Sequence, residues 1–192
     1  MPTNTIYMEN FMKILNLPNT LTLARIVLIP VLCILYYIGF PGWNYWAAAI
    51  FIIASLTDLF DGMAARKMGL VSNFGKFMDP IADKLLVMAS LLIIQEWRNM
   101  PSYINIVLIG REFIISGFRQ VAADRGVVIA AGKTGKWKTA VQMTGISIIF
   151  LDNILFNLIG IPMGEILLYA SVVLSIISCV EYIKNNINVI KE

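Results

Sequence analysis

The chain contains no histidine. That excludes a histidine-built zinc centre and a Ser-His-Asp triad. It has only two cysteines, Cys33 and Cys179, far apart in apolar runs, where they read as small hydrophobes and say little about redox compartment. Charge is scarce as well. Of 192 residues 14% are charged and 58% are hydrophobic, whereas soluble domains carry about 25% charged residues. There is too little polar surface to face water all round, so the composition implies an integral membrane protein whose apolar faces are covered by lipid. The net charge of +3 suits an anionic lipid surface. Without aromatic–basic interleaving, no nucleic-acid partner is expected. Residues 1–10 lack the basic start and apolar run of a cleavable signal peptide.

What is present is a series of six apolar segments, at about 22–40, 43–64, 80–97, 102–122, 138–159 and 162–182. Each approaches the ~20 residues that a spanning helix needs. The fold class expected is all-α: a polytopic membrane protein with six transmembrane helices and a short N-terminal interfacial helix. Phe11, Ile14 and Leu15 share one helical face in that first segment, with Lys13 elsewhere. Pro18 is expected to end it, and Asn19 or Thr20 to cap the next helix. Residues 1–192 read as one domain, with 1–20 interfacial, 21–183 the bundle and 184–192 a tail. The basic residues alternate between connections. Arg66, Lys67 and Lys76 lie in the second, Arg119, Arg125, Lys133, Lys136 and Lys138 around the fourth, and the first and fifth carry none. By the positive-inside rule both termini and these two loops face the cytoplasm of a cell membrane.

Acid is rarer still, with 12 Asp and Glu in the chain, yet four aspartates fall between Thr57 and Lys84: Asp58, Asp61, Asp79 and Asp83. Residues three or four apart share a helical face. Asp58 and Asp61 are therefore neighbours at the end of the second segment, and Asp79 and Asp83 at the start of the third. With Pro80 suited to a first helical turn, Asp79 reads as an N-cap. Consecutive crossings run antiparallel, so the two pairs can face each other. Four such carboxylates repel unless neutralised. An oxygen-only donor set favours Mg²⁺ or Mn²⁺, with Ca²⁺ chemically possible, and four carboxylates suffice to bridge two ions. Gly62 sits inside the helical stretch, where glycine costs ~1 kcal/mol relative to alanine. Its compensation is close approach of a ligand or a helix. Arg66 can hold a phosphate oxygen pair. The bland alternative is solvated helix ends, with Asp58 and Asp61 paired to Arg66 and Lys67.

Written out, the stretch is D58-L-F-D61-G62-M-A-A65-R66, eight residues, then G75-K-F-M-D79-P-I-A-D83. It resembles, at every specified position, the D-x2-D-G-x2-A-R-x8-G-x3-D-x3-D signature of the CDP-alcohol phosphatidyltransferases. The resemblance implies a six-helix membrane enzyme, usually a homodimer, that moves a substituted phosphate from a CDP-linked donor to an alcohol and releases CMP. Carried over by position, Asp58, Asp61, Asp79 and Asp83 would bind two divalent cations, Mg²⁺ or Mn²⁺. Asp83 would also be the catalytic base, and Gly62, Ala65, Arg66 and Gly75 would line the CDP site.

The acceptor is not in that motif. "LPNTLTLAR", "GREFIISGFR" and "GKTGKWKTAVQM" resemble elements of the branch that uses CDP-diacylglycerol and glycerol 3-phosphate. They add Asn19 and Thr22 to the CDP site, and Arg25, Glu112 and Thr139 in support. Arg111, Arg119, Lys133, Lys136 and Lys138 become candidates for an acceptor phosphate. The residues themselves agree. Arg111 lies inside an apolar run, where a charge is costly unless it lines a polar cavity, although pairing with another buried group would serve too. Arg119 and the nearby lysines are more cation than an uncharged alcohol needs. Other acceptors (inositol phosphate, serine or phosphatidylglycerol) remain alternatives, as do a divalent-cation transporter and a non-catalytic scaffold.

Overall fold

A computed structural model describes residues 17–68, 73–130 and 132–189, with side chains at 58–68, 73–77, 79, 80 and a few segment-end residues left out. Among the described residues there are six α-helices and no strand. They are α1 (Leu17–Ile38), α2 (Trp43–Met68), α3 (Asn73–Arg98), α4 (Ser102–Asp124), α5 (Lys133–Phe150) and α6 (Met163–Asn186), with a 3₁₀ turn at Asn157–Ile159 and another at Ile187–Val189. Each helix coincides with one expected apolar segment. The expected interfacial helix falls almost wholly outside the described residues.

Three local expectations are corrected. α1 is helical from Leu17, the first described residue, so Asn19 and Thr20 lie inside the helix and do not cap it. α3 begins at Asn73, which puts Gly75, Asp79 and Pro80 inside a helix, so Asp79 is not an N-cap. Pro30 within α1 is a second proline inside a helix. α5 stops at Phe150 instead of running to 159. Asp152 and Asn153 there adopt left-handed backbone, φ 55° and 50°, which these two residue types accept more readily than most. Their side chains also offer the chain alternative partners. Asn153 Oδ1 accepts from Gly164 N at 2.8 Å, and its Nδ2 donates to Glu165 at 2.9 Å.

The helices form two compact units, Met1–Ser90 and Leu91–Glu192, divided within α3. In the first, α1 packs on α2. Gly39 (φ 63°) and Gly42 (φ 85°) take the positive φ that the tight connection requires, and Tyr36 and Trp43 close it ring to edge at 5.1 Å.

The second unit alternates in direction. Gln95 near the end of α3 receives a bond from Asn105 near the start of α4 at 2.7 Å. α5 and α6 are antiparallel: Thr134 donates to Glu181 at 2.6 Å, while Gly164 lies against Ile149 at the other end. α4 and α6 run the same way, since Arg111 meets Ser178 and Arg119 meets Tyr182.

Glycine lets α5 and α6 approach closely. A Cβ on Gly164 would fall 2.5 Å from Ile149 Cγ1 and 2.9 Å from its backbone nitrogen, and one on Gly145 would fall 3.1 Å from the Gly164 carbonyl. Small residues at such crossings drive helix association in lipid. Gly164→Ala is therefore expected to cost ~1–3 kcal/mol through overpacking, read as a lower thermal midpoint in detergent. An unchanged midpoint would refute the close crossing.

Large apolar side chains point outward along the helices, including Val27 and Ile34 on α1, Ile106 and Phe113 on α4, and Val173 and Ile177 on α6. Exposure on that scale would be a liability in water and suits lipid. α1, over Thr20–Ile38, and α6 are each long and apolar enough to cross a membrane.

Candidate active site

Asp58, Asp61, Gly62, Ala65 and Arg66 ride on the last three turns of α2, and Gly75, Asp79 and Asp83 on the first three of α3. The backbone thus keeps each carboxylate pair on one helical face, three residues apart on α2 and four apart on α3. Of these residues only Asp83 has a described side chain, and it is part-buried. Residues 69–72, between these two stretches, lie outside the described residues. Among the described residues no three acidic, cysteine or histidine groups cluster, and of the four aspartates expected to hold a metal only Asp83 has a described side chain. The donor chemistry still fits a hard divalent cation: carboxylates on both helix segments, with no thiol or imidazole on either. On α1, Thr22 and Arg25 are one turn apart and both buried, 1% and 3% exposed.

The second unit holds a cluster of cations ordered by one carboxylate. Glu112 Oε1 accepts from Arg111 Nη1 at 3.0 Å and from Lys138 Nζ at 2.7 Å. Arg111 Nη2 donates onward to Ser178 Oγ at 3.3 Å. Lys138 is 1% exposed, so it is placed as an internal counter-ion to Glu112. Gly135 makes room for this arrangement, because a Cβ there would lie 3.2 Å from Arg111 Nη2.

Eight residues beyond Arg111, Arg119 is exposed. Its Nε donates to the Tyr182 hydroxyl at 3.2 Å, and its guanidinium lies 5.5 Å from the centre of that ring.

Lys133 and Lys136 are exposed in the first turn of α5. That turn has no acidic residue and no side-chain cap. Two cations beside the positive end of a helix dipole are unfavourable unless an anion joins them, and Glu181 of α6 brings one carboxylate to this turn, accepting from Thr134 at 2.6 Å. Thr139 turns back on its own helix, donating to the Gly135 carbonyl at 3.1 Å.

The residues that anchor the two arginines, Ser178 and Tyr182, are absent from the sequence-based set. A signal for them exists. Ser171, Ser175, Ser178 and Tyr182 recur every three or four residues along α6 and are all buried. A hydroxyl stripe on an otherwise apolar spanning helix marks a polar neighbour.

The model of the CDP-alcohol phosphatidyltransferase family matches residues 15–177. The chain belongs to this family. Members of known name are similar over nearly its whole length. A CDP-diacylglycerol–glycerol-3-phosphate 3-phosphatidyltransferase of Bacillus subtilis is 42% identical over 188 residues, covering 92% of this chain and 97% of that one. A protein of the same name from Rickettsia bellii is 40% identical over 170 residues, covering 88% and 94%. A third, from Arabidopsis thaliana, is 38% identical over 191 residues, covering 90% and 80%. Both the α2–α3 carboxylates and the α4–α6 cation cluster, except for Ser178 and Tyr182, fall within the stretch that matches the CDP-alcohol phosphatidyltransferases.

Proposed function

We propose that this protein transfers a phosphatidyl group from CDP-diacylglycerol to glycerol 3-phosphate, giving phosphatidylglycerophosphate and CMP. The observation that carries this reading is the chain-long similarity, at about 40% identity, to proteins named for this transfer. The site chemistry supports it. Asp58, Asp61, Asp79 and Asp83 would hold two divalent cations, Mg²⁺ or Mn²⁺. Bound there, the ions neutralise pyrophosphate charge and stabilise the leaving CMP. Gly62, Ala65, Arg66 and Gly75, with Asn19 and Thr22 of α1, form the CDP side, and Arg25 backs them from the same face as Thr22.

Asp83 takes the proton from the acceptor hydroxyl. The hydroxyl oxygen bonds to the phosphorus that bears the diacylglycerol. The phosphoanhydride bond to the CMP phosphate breaks, and its bridging oxygen departs with CMP. Arg111, Arg119, Lys133 and Lys136 attract the acceptor phosphate, while Lys138 contributes through Glu112. Two arginines and a lysine-bearing helix start match a dianionic ester better than a neutral alcohol.

The same reading extends to architecture. We place six crossings in the membrane, with both termini and the site on the cytoplasmic side, as the alternation of basic connections supports. At 26 residues each, α2 and α3 are ~39 Å long and exceed a ~30 Å hydrocarbon layer. Their carboxylate-bearing ends can therefore reach the headgroup level. The family match runs unbroken across the boundary between the two units, which supports one catalytic domain over 1–192. A homodimer is the expected assembly.

Purified protein with CDP-diacylglycerol and Mg²⁺ or Mn²⁺, offered one acceptor at a time, tests the assignment. CMP release is expected with glycerol 3-phosphate and not with serine, inositol phosphate or phosphatidylglycerol. Release that needs another acceptor would overturn it.

A further inference from the structure

We infer that Tyr182 is a positioning residue for acceptor recognition, holding Arg119 so that its two terminal nitrogens form a preset fork for the acceptor phosphate. The inference rests on the function proposed above. Arg111 and Arg119 are treated differently by the fold. Arg111 is 11% exposed and spends both terminal nitrogens internally, on Glu112 and Ser178. Arg119 is exposed and is gripped only from behind, through Nε. Among the described residues its Nη1 and Nη2 make no hydrogen bond or ion pair. Those two donors are a planar pair whose spacing matches two oxygens of a phosphate.

Tyr182 is itself well fixed. It is 6% exposed and packs with Ile115 and Phe118, the Phe118 ring meeting it edge-on at 5.7 Å. Asn186 Nδ2 donates to its backbone carbonyl at 2.8 Å. The hydroxyl fixes the guanidinium by a hydrogen bond, and the ring holds it by cation–π attraction. A long, flexible arginine is thereby ordered before the acceptor arrives, which removes part of the ordering cost from binding. Phenylalanine at 182 would keep the ring and lose the grip on Nε.

The test is steady-state kinetics of Tyr182→Phe in detergent micelles, with each substrate varied in turn. The KM for glycerol 3-phosphate is expected to rise about three- to tenfold, the worth of one hydrogen bond. The turnover number, the KM for CDP-diacylglycerol and the thermal midpoint should change little. Arg119→Lys, at an exposed position, keeps the charge and loses the fork, and should raise the same KM at least as much. If wild type releases no CMP with glycerol 3-phosphate, the proposed acceptor is wrong and this inference falls with it. If wild type does so but both variants keep its KM, or if both KM values rise together, the positioning role alone is overturned.

Discussion

Asp83→Asn is expected to reduce CMP release about 10³-fold or more while leaving the helical fold intact. General-base catalysis alone is worth about 10²–10⁴-fold, and Asp83 is proposed to serve as a cation ligand too. Asparagine has the same shape, but it neither accepts a proton near neutral pH nor carries the charge that draws a divalent ion. Asp83 is part-buried on α3, one turn beyond Asp79, so an isosteric replacement leaves the packing of α3 nearly unchanged. The check is a pair of measurements on one preparation: CMP release with excess Mg²⁺ or Mn²⁺, and the thermal midpoint in detergent. A variant that folds and keeps more than a tenth of wild-type turnover removes Asp83 from the catalytic role. A transporter or scaffold built on these acids would show no CMP release to lose.

Glu112→Gln should produce the largest loss of stability of any single change considered. Glu112 is the carboxylate between Arg111 and a fully buried Lys138. Removing its charge takes away a carboxylate counter-ion of Lys138 in a low-dielectric interior. Breaking a buried pair from one side costs ~3–5 kcal/mol. The lower end applies here, ~3 kcal/mol, because Glu112 keeps 28% of its side-chain surface exposed. Thermal or denaturant unfolding in detergent reads the effect. Adding Lys138→Met should recover much of the loss, since an apolar replacement of a whole buried pair is often near neutral. Glycerol 3-phosphate affinity should not recover with it, because the carboxylate charge that pairs with Arg111 is gone in both variants. A single-variant shift within about 0.5 kcal/mol, the range of ordinary surface changes, would show that the pair carries no such weight.

The candidate site was legible in uneven measure. The α2–α3 carboxylates announce themselves because their spacing is local: three residues apart and four apart share a face in any helix. All six helices also follow from apolar run length and composition. Helix ends were less legible. α5 stops at Phe150 because Asp152 and Asn153 take left-handed backbone and the Asn153 side chain bonds to Gly164 and Glu165. α3 starts at Asn73 in spite of Pro80, where a proline had suggested a first turn. The acceptor side was read as a pool of cations without an order among them. Arg111, Arg119, Lys133, Lys136 and Lys138 look alike in sequence. In the fold Lys138 is spent on Glu112, Arg111 is held on both sides, and Arg119 is held from behind with its fork open.

Composition and local spacing alone pointed to an apolar helical chain suited to a membrane, with four aspartates on two helix faces, and the motif's resemblance pointed to the CDP-alcohol phosphatidyltransferases. Those features depend on one helix at a time and on the solvent that can cover it. Tertiary structure alone decided which cation is buried, which is presented, and that Ser178 and Tyr182 anchor the arginines. Those partners lie 67 and 63 residues apart along the chain. The register of α6 against α4 brings them together, while Gly145 and Gly164 let α5 close onto α6. No periodicity within a single helix encodes that register.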